Sequence, residues 1–337
     1  MKTRNNNATK AILLRTQEFV GKLLETVTAA TVNNYKSAIR LYFTFLKTDI
    51  GVTRNTLVFE HLMEDVVTHF RDWLRKERHN SPSSVNRRLS CIRRWILFVA
   101  KKEAKYRTLL SAVKDVEPLK EEARPKELAL SKEAIKAIIA APERVSDTRT
   151  AARYTTLLTL GYYTAARVDE AISIRIKDLH LNRKDPYVDL LGKGQKVRAV
   201  PLDPDAVRTL KNYFKYRFDK DANPDYYVFG SWTNPMRKIS EQGVNQQLKI
   251  YAINARKYCH DVPEDLHFHQ LRRARATHMV GFVKLPFISE FLGHESVDTT
   301  MKYLGITLEM KAEAITGLIP EEFRGEEPKW MKNDGWI

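Results

Sequence analysis

Apolar side chains recur at intervals of three and four residues along the amino-terminal part of the chain, as on one face of an α-helix. In the segment 31–46 this face is formed by Val32, Tyr35, Ile39, Tyr42, Phe43 and Leu46. Related patterns predict helices over 10–26, 31–46, 61–78 and 81–102. The sequence therefore predicts a small all-helical amino-terminal unit.

The last of these predicted helices has two different faces. Its apolar face steps by four and three residues through Val85, Leu89, Ile92, Ile96 and Val99. On another face Arg87, Arg94 and Lys101 follow one another at intervals of seven. Charge on a helix face is usually just solvated. The cationic excess of this region favours contacts with phosphates instead.

A boundary between domains is predicted over residues 116–130. Pro118 and Pro125 stand there among charged residues, and no apolar period is visible. We therefore expect a helical domain over 1–115, a linker over 116–130, a second domain over 131–320 and a carboxyl-terminal tail over 321–337.

The second domain combines helical patterns with one short β segment. Ser131 is a suitable helix cap, and we expect the helix that follows it to end before Pro142. In residues 187–202 two β-prone runs flank Lys193-Gly194-Gln195, which predicts a hairpin with a basic tip. The whole chain is therefore predicted to be mostly α with a small β-sheet.

The charge of the chain changes this picture by suggesting a partner. The 337 residues carry a formal net charge of +16, and residues 1–124 alone contain 24 Lys and Arg against 13 Asp and Glu. Such a surface attracts polyanions, and nucleic acid is the leading candidate. The sequence has no apolar run of membrane-spanning length and no secretory signal at its start, so we expect it to act in the cytoplasm, at the nucleoid.

Four short motifs follow one another in the second domain. They are Thr164-Ala165-Ala166-Arg167-Val168-Asp169-Glu170, then Gly192-Lys193-Gly194-Gln195-Lys196-Val197-Arg198-Ala199-Val200-Pro201-Leu202, then His269-Gln270-Leu271-Arg272, and finally Leu292-Gly293-His294 with Tyr303 nine residues later. Each motif alone is weak. In this order and spacing they resemble the tyrosine recombinases and phage-type integrases, the family that includes the Xer and Cre enzymes.

The resemblance implies a role for each matched residue. Tyr303 matches the nucleophile, Lys193 the hairpin lysine that protonates the leaving group, and Arg167, His269, Arg272 and His294 the groups around the phosphate, with Glu170 in support. It also implies an amino-terminal SAM-like core-binding domain, a specific site on double-stranded DNA, a synaptic tetramer on that DNA, and chemistry without metal or cofactor. Two positions depart from the family pattern: Ala165 stands where glycine is usual, and Arg273 where a second histidine is frequent.

Elementary chemistry explains why such a set would work. Guanidinium groups offer paired donors to the charge that builds on phosphate oxygens, and this suits Arg167 and Arg272. A tyrosine, with a pKa of about 10, attacks well only when its proton is removed or its oxyanion is stabilised. On a helix His269 and Arg272 lie on one face, and Glu170, one turn after Arg167, is better placed to orient a cation than to act as a base.

Basic residues outside this set are candidates for DNA contacts. They are Arg87, Arg94 and Lys101 in the amino-terminal unit, and Lys196 and Arg198 in the hairpin.

Other functions remain open at this point. A type IB topoisomerase or a telomere-resolvase-like strand transferase would share the nucleophile, and a non-enzymatic DNA-binding protein would share the charge. The histidines His267, His269, His278 and His294 raise a zinc alternative, but their spacing matches no familiar closed site and no cysteine pair accompanies them.

Overall fold

The computed structural model describes residues 2–53, 55–102, 113, 115–121, 129–293 and 300, except for the side chains of 2–6 and of Lys193. The chain divides into two compact units, Met1–Arg124 and Pro125–Ile337. Each unit has a hydrophobic core of its own.

The described part of the first unit is helical. Its elements are α1 (Lys2–Thr26), α2 (Ala29–Thr48), a short 3-10 helix (Phe59–Leu62), α3 (Glu64–Lys76) and α4 (Pro82–Lys102). Buried aromatic side chains fill the space between the helices, and Tyr42 packs edge-on against both Phe70 and Trp95. Aromatic pairs in this geometry add to the stability that burial provides.

The two faces predicted for α4 are present. All five residues of its predicted apolar stripe are buried, while Arg87, Arg94 and Lys101 are exposed. Arg94 also lies over the ring of Tyr35. The helix therefore packs through one face and presents cations on another.

The second unit combines helices with a small sheet. Its elements are α5 (Lys132–Val145), α6 (Thr148–Thr164), α7 (Val168–Ile172), a 3-10 helix (Ile176–Asp178), β1 (Leu179–His180), β2 (Tyr187–Leu191), a 3-10 turn (Lys193–Gln195), β3 (Val197–Pro201), α8 (Pro204–Arg217), α9 (Glu241–Ala255), α10 (Phe268–His278) and α11 (Leu285–Leu292).

One boundary prediction in this unit is wrong. Ser131 caps α5 as expected, since its hydroxyl accepts a hydrogen bond from the backbone N–H of Ala134, but the helix continues through Pro142 to Val145. Proline cannot donate the usual backbone hydrogen bond. Pro142 is buried, and its carbonyl accepts from Ser146 N–H, so packing and the last turn extend the helix past it.

The sheet confirms the predicted hairpin and adds a strand to it. The order is β1-β2-β3 with antiparallel pairing, and Leu191 pairs with Val197 at the end that carries the turn. Gly194 takes a φ of 74° inside this turn, a conformation that glycine adopts without strain. The two-residue strand β1 gave no pattern in the sequence because it is too short to show an alternation.

Helix α6 lies in the middle of the second core, and ten of its residues are buried. At Gly161 it approaches α10 so closely that an added Cβ atom would overlap the Phe268 ring. The absence of a side chain at Gly161 therefore sets the distance between these two helices, which carry the site motifs at their ends.

Candidate active site

Arg167 and Glu170 form the first part of the site, at the junction between α6 and α7. Ala165 ends α6 in the left-handed conformation, with φ at 49°, and Arg167 is the residue just before α7. The Glu170 carboxylate accepts hydrogen bonds from the Arg167 backbone N–H at 2.8 Å and from its Nη1 at 2.7 Å. The Glu170 side chain is 4% exposed, whereas that of Arg167 is 38% exposed. The buried Glu170 carboxylate thus orients Arg167, while the Arg167 side chain remains accessible to solvent.

Arg198 adds a second guanidinium to the same carboxylate. It extends from β3, and its Nη2 and Nη1 donate to the two Glu170 oxygens at 2.7 Å and 3.1 Å. The sequence placed Arg198 on the hairpin as a DNA contact, whereas the structure places it beside the buried carboxylate. No sequence signal connects two residues 28 positions apart, although the arginine in the hairpin motif was itself visible.

Arg272 on α10 is the third arginine near Glu170, and it is fully buried. Its Nη1 donates to the carbonyl of Ala165 at 2.8 Å, and its Nη2 donates to the carbonyl of Leu292 at 2.6 Å. Its Nη1 is also 3.9 Å from a Glu170 oxygen. One guanidinium therefore ties the end of α6 to the end of α11, and so joins three of the four sequence motifs.

Two of these arginines determine the charge state of Glu170. Burial by itself raises the pKa of this carboxyl, but hydrogen bonds from Arg198 and Arg167 outweigh it and lower the pKa to about 2. Glu170 is therefore ionised throughout the physiological range. An ionised acceptor-only carboxylate serves here to hold cations and not to take up a proton.

His269 lies on α10 one turn before Arg272, as the H-x-x-R spacing predicts. Burial lowers its pKa to about 4, and the positive charges of Arg272, His267, Arg167 and Arg273 act in the same direction. At neutral pH the imidazole is neutral, so one ring nitrogen can accept a proton while the other donates.

The structure describes less of the other predicted site residues. The backbone of Lys193 forms the turn at the tip of the hairpin, next to exposed Lys196. His294 and Tyr303 lie outside the described residues. The residue before His294, Gly293, ends α11 with a φ of 64°. The contacts bring together Arg167, Glu170, Arg198 and Arg272, and His269 lies one helical turn before Arg272.

Two family profiles match the chain. The profile of the phage integrase family matches residues 129–309, which is more than half of the chain, and that of the phage integrase SAM-like domain matches residues 15–108. This chain belongs to the phage integrase family. Its fold is that of a SAM-like domain followed by an integrase catalytic domain.

Relatives of this integrase include tyrosine recombinase XerD of Oceanobacillus iheyensis, which is 26% identical over 294 residues, or 80% of this chain and 94% of the relative. The alignments with two further relatives cover 64% and 58% of their lengths, so the chain spans less than two thirds of those proteins.

Solved structures show the same fold. A DNA-bound XerH recombinase superposes on the integrase with a TM-score of 0.66 at 17% identity, over 88% of this chain and 82% of that chain. A lambda integrase tetramer on a Holliday junction gives a TM-score of 0.61 at 17% identity, over 87% and 77%.

The described part of the integrase lacks two features. Nowhere in it do three or more His, Cys, Asp or Glu side chains gather as a metal ion would require. Its helices also include none with the length and apolar character needed to cross a lipid bilayer.

Proposed function

We propose that this recombinase cuts and rejoins double-stranded DNA at a specific recombination site through Tyr303. The observation that carries the proposal is the meeting of Arg167 and Arg272 at Glu170. These arginines come from motifs far apart in the sequence, yet one buried carboxylate contacts the first at 2.7 Å and lies 3.9 Å from the second. A fold that concentrates this much fixed positive charge is suited to an anionic transition state.

The arginines are assigned to the phosphate. Negative charge grows on the nonbridging oxygens as the phosphorus becomes five-coordinate, and oriented guanidinium groups stabilise that charge without moving. Arg167 reaches solvent and is the group we assign to a direct contact. Arg272 contributes its charge and holds the two backbone segments that flank the site.

Four groups are assigned to the bond-making step. The Tyr303 oxygen bonds to phosphorus while the bond from phosphorus to the 5′ oxygen breaks, and this gives a 3′ phosphotyrosine. Neutral His269 accepts the phenolic proton or donates to a phosphate oxygen, and His294 donates a further hydrogen bond. Lys193 on the hairpin tip protonates the departing 5′ oxygen. The phosphotyrosine keeps the energy of the broken bond, so rejoining to another 5′ hydroxyl needs no ATP.

The partners follow from the domains and the relatives. We assign residues 1–115 to a core-binding domain, 116–130 to a linker, 131–320 to catalysis and 321–337 to a tail. The XerH structure is described as a site-specific recombinase bound to its difH substrate, and the lambda integrase structure as a tetramer on a Holliday junction. By analogy we propose a synaptic tetramer of this chain on two duplexes, acting at the nucleoid in the cytoplasm.

The proposal is tested by changing Tyr303 to Phe. A duplex with a nick in the recognition site traps the wild-type enzyme as a covalent adduct, visible as a band of lower mobility on a denaturing gel. We expect Tyr303→Phe to give no adduct and to bind the duplex with unchanged affinity, because only the attacking oxygen is lost. Tyr258→Phe, at an exposed tyrosine of the same unit, is the matched control and retains the adduct.

Three results would contradict this proposal. An adduct that persists in Tyr303→Phe places the nucleophile elsewhere. A wild-type protein that binds the duplex and never forms an adduct is a DNA-binding protein without this chemistry. Relaxation of supercoiled DNA that lacks any specific site would indicate a topoisomerase instead.

A further inference from the structure

We propose that Arg198 is a positioning residue for the recombination reaction. Acting through Glu170, it fixes the orientation of Arg167 and fastens the hairpin that carries Lys193 to the turn that precedes His294. This inference rests on the proposed function, and it gives Arg198 an internal role in place of a contact with DNA.

The first support is the geometry of the Arg198–Glu170 pair. Two nitrogens of one guanidinium meet the two oxygens of one carboxylate, and the side chains are 16% and 4% exposed. Bidentate pairs of this kind are directional and resist rotation. With both terminal nitrogens directed at Glu170, Arg198 is poorly placed to reach a phosphate on the protein surface.

The second support is the packing around Arg198. A Cβ atom built at Gly293 would lie 3.2 Å from Arg198 Cδ, and one built at Gly192 would lie 3.6 Å from its Nη1. Gly293 ends α11, and Gly192 follows β2. The guanidinium therefore lies against the backbone of two different motifs, and both have glycine at the point of contact.

The third support is the path from Arg198 to the hairpin tip. Arg198 pairs with Leu190 across the two strands, and the next pair, Leu191 with Val197, is the last before the turn that contains Lys193. Anchoring the Arg198 side chain thus restricts β3, the strand that leaves this turn. The same carboxylate holds Arg167, so Glu170 links the turn end of the hairpin to the arginine assigned to the phosphate.

Charge balance explains why Glu170 needs this partner. The charged groups that face its carboxylate are Arg167 at the start of α7, Arg198 on β3 and Arg272 on α10. Without Arg198 the carboxylate loses two of its hydrogen bonds while staying buried, and burial favours the protonated form. A protonated Glu170 would be a weaker acceptor for Arg167.

The experiment measures single-turnover cleavage of a nicked recognition duplex by Arg198→Gln, Arg198→Lys and the control Arg208→Gln, which removes an exposed arginine on α8. We expect Arg198→Gln to cleave about 10- to 100-fold more slowly, with little change in affinity for the duplex. A loss of this size is typical when residues that orient the ligands of a metal site are changed. Arg198→Lys keeps the charge but loses the paired geometry, so it is expected to cleave at an intermediate rate. The control should cleave like the wild type.

A double-mutant cycle then separates positioning from general loss of structure. If Arg198 acts through Glu170, adding Arg198→Gln to Glu170→Gln slows cleavage much less than it slows the wild type. The inference would be overturned if the two substitutions slowed cleavage by factors that simply multiply in the double variant. A loss of duplex affinity with an unchanged cleavage rate would overturn it as well, because that is the result expected of a DNA contact.

The pH profile gives a readout other than the cleavage rate at a single pH. In Arg198→Gln or Arg198→Lys the pKa of Glu170 rises, so the cleavage rate should fall more steeply from pH 7 to pH 5 than in the wild type. The extra fall should vanish when Glu170→Gln is added. Parallel profiles in all these proteins would overturn the inference while leaving the Tyr303 assignment intact, because that assignment is tested separately by the adduct formed by the wild-type enzyme.

Discussion

The neutral imidazole of His269 has consequences for stability as well as for chemistry. Its pKa in the folded protein is about 4, mainly because it is buried, whereas an unfolded chain has the ordinary value of 6.5. Between these two pH values the unfolded chain binds more protons than the folded one. The contribution of His269 to stability is therefore complete above pH 6.5 and is lost as the pH falls toward 4.

We expect His269→Gln to weaken the pH dependence of unfolding in that window. The measurement is the urea midpoint at several values between pH 7 and pH 4.5, compared with the wild type. The wild-type midpoint decreases as the pH decreases for several reasons, which include the lowered pKa values of His61 and His278. The contribution of His269 is therefore the difference in pH dependence between the variant and the wild type. His260→Gln, at an exposed histidine, should follow the wild type. Identical slopes in His269→Gln and wild type would show that the imidazole is not buried as described.

At the residue scale the sequence predicted the position of some site groups and missed the partner of another. The H-x-x-R spacing predicts that His269 and Arg272 share a helix face, since three residues make almost one turn, and α10 confirms this. The pairing of Arg198 with Glu170 joins a strand to a helix, and it depends on tertiary packing that no local pattern encodes. The sequence could show that the arginine was present, but not which group it would contact.

At the scale of elements, the closeness of α6 and α10 is the feature that brings the arginine motifs together. Arg167 follows α6 directly, and Arg272 belongs to α10. Gly161 lies against the ring of Phe268 at their contact. A side chain there must move the ring or separate the helices, and either change displaces the groups that hold Glu170.

We therefore expect Gly161→Ala to destabilise the protein by about 1–3 kcal/mol, as for other insertions into packed cores, and to slow cleavage. Urea unfolding and single-turnover cleavage provide the measurements. Gly21→Ala is the matched control: Gly21 lies in α1 with no atom near its would-be Cβ, so the change should be neutral or stabilise by about 0.5–1 kcal/mol through helix propensity. If Gly161→Ala behaves like Gly21→Ala, the close contact does not control the site.

Element boundaries were predictable where periodicity and local caps agree. The apolar stripe of α4 and the Ser131 cap of α5 are local features, and both are present. The end of α5 was not predicted, because a proline in the last turn is tolerated once packing and a following hydrogen bond compensate for it. Packing contacts override local preference at such points, and they are not visible in a single sequence.

At the scale of the whole molecule, the net charge of +16 favours binding to DNA that weakens as salt is added. Binding to duplex DNA releases counterions, and the slope of log affinity against log salt concentration reports the number of phosphates neutralised. The exposed cations of α4 include Arg87, Arg94 and Lys101, whose intervals of seven residues keep them on one side of the helix. A stripe of this kind suits the backbone of a duplex.

Changing all three of these cations to Gln should weaken duplex binding and reduce the salt slope by up to about 2.7, at about 0.9 for each lost phosphate contact. Fluorescence anisotropy across a salt series measures the slope. The same loss of charge at exposed Lys136, Lys220 and Lys257 of the second unit is the control. These substitutions leave the arginine cluster of the other unit unchanged, so cleavage at saturating enzyme should proceed at the wild-type rate in the α4 variant. An equal change of slope in both triple variants would mean that only total charge matters, and that the stripe is an ordinary solvated face.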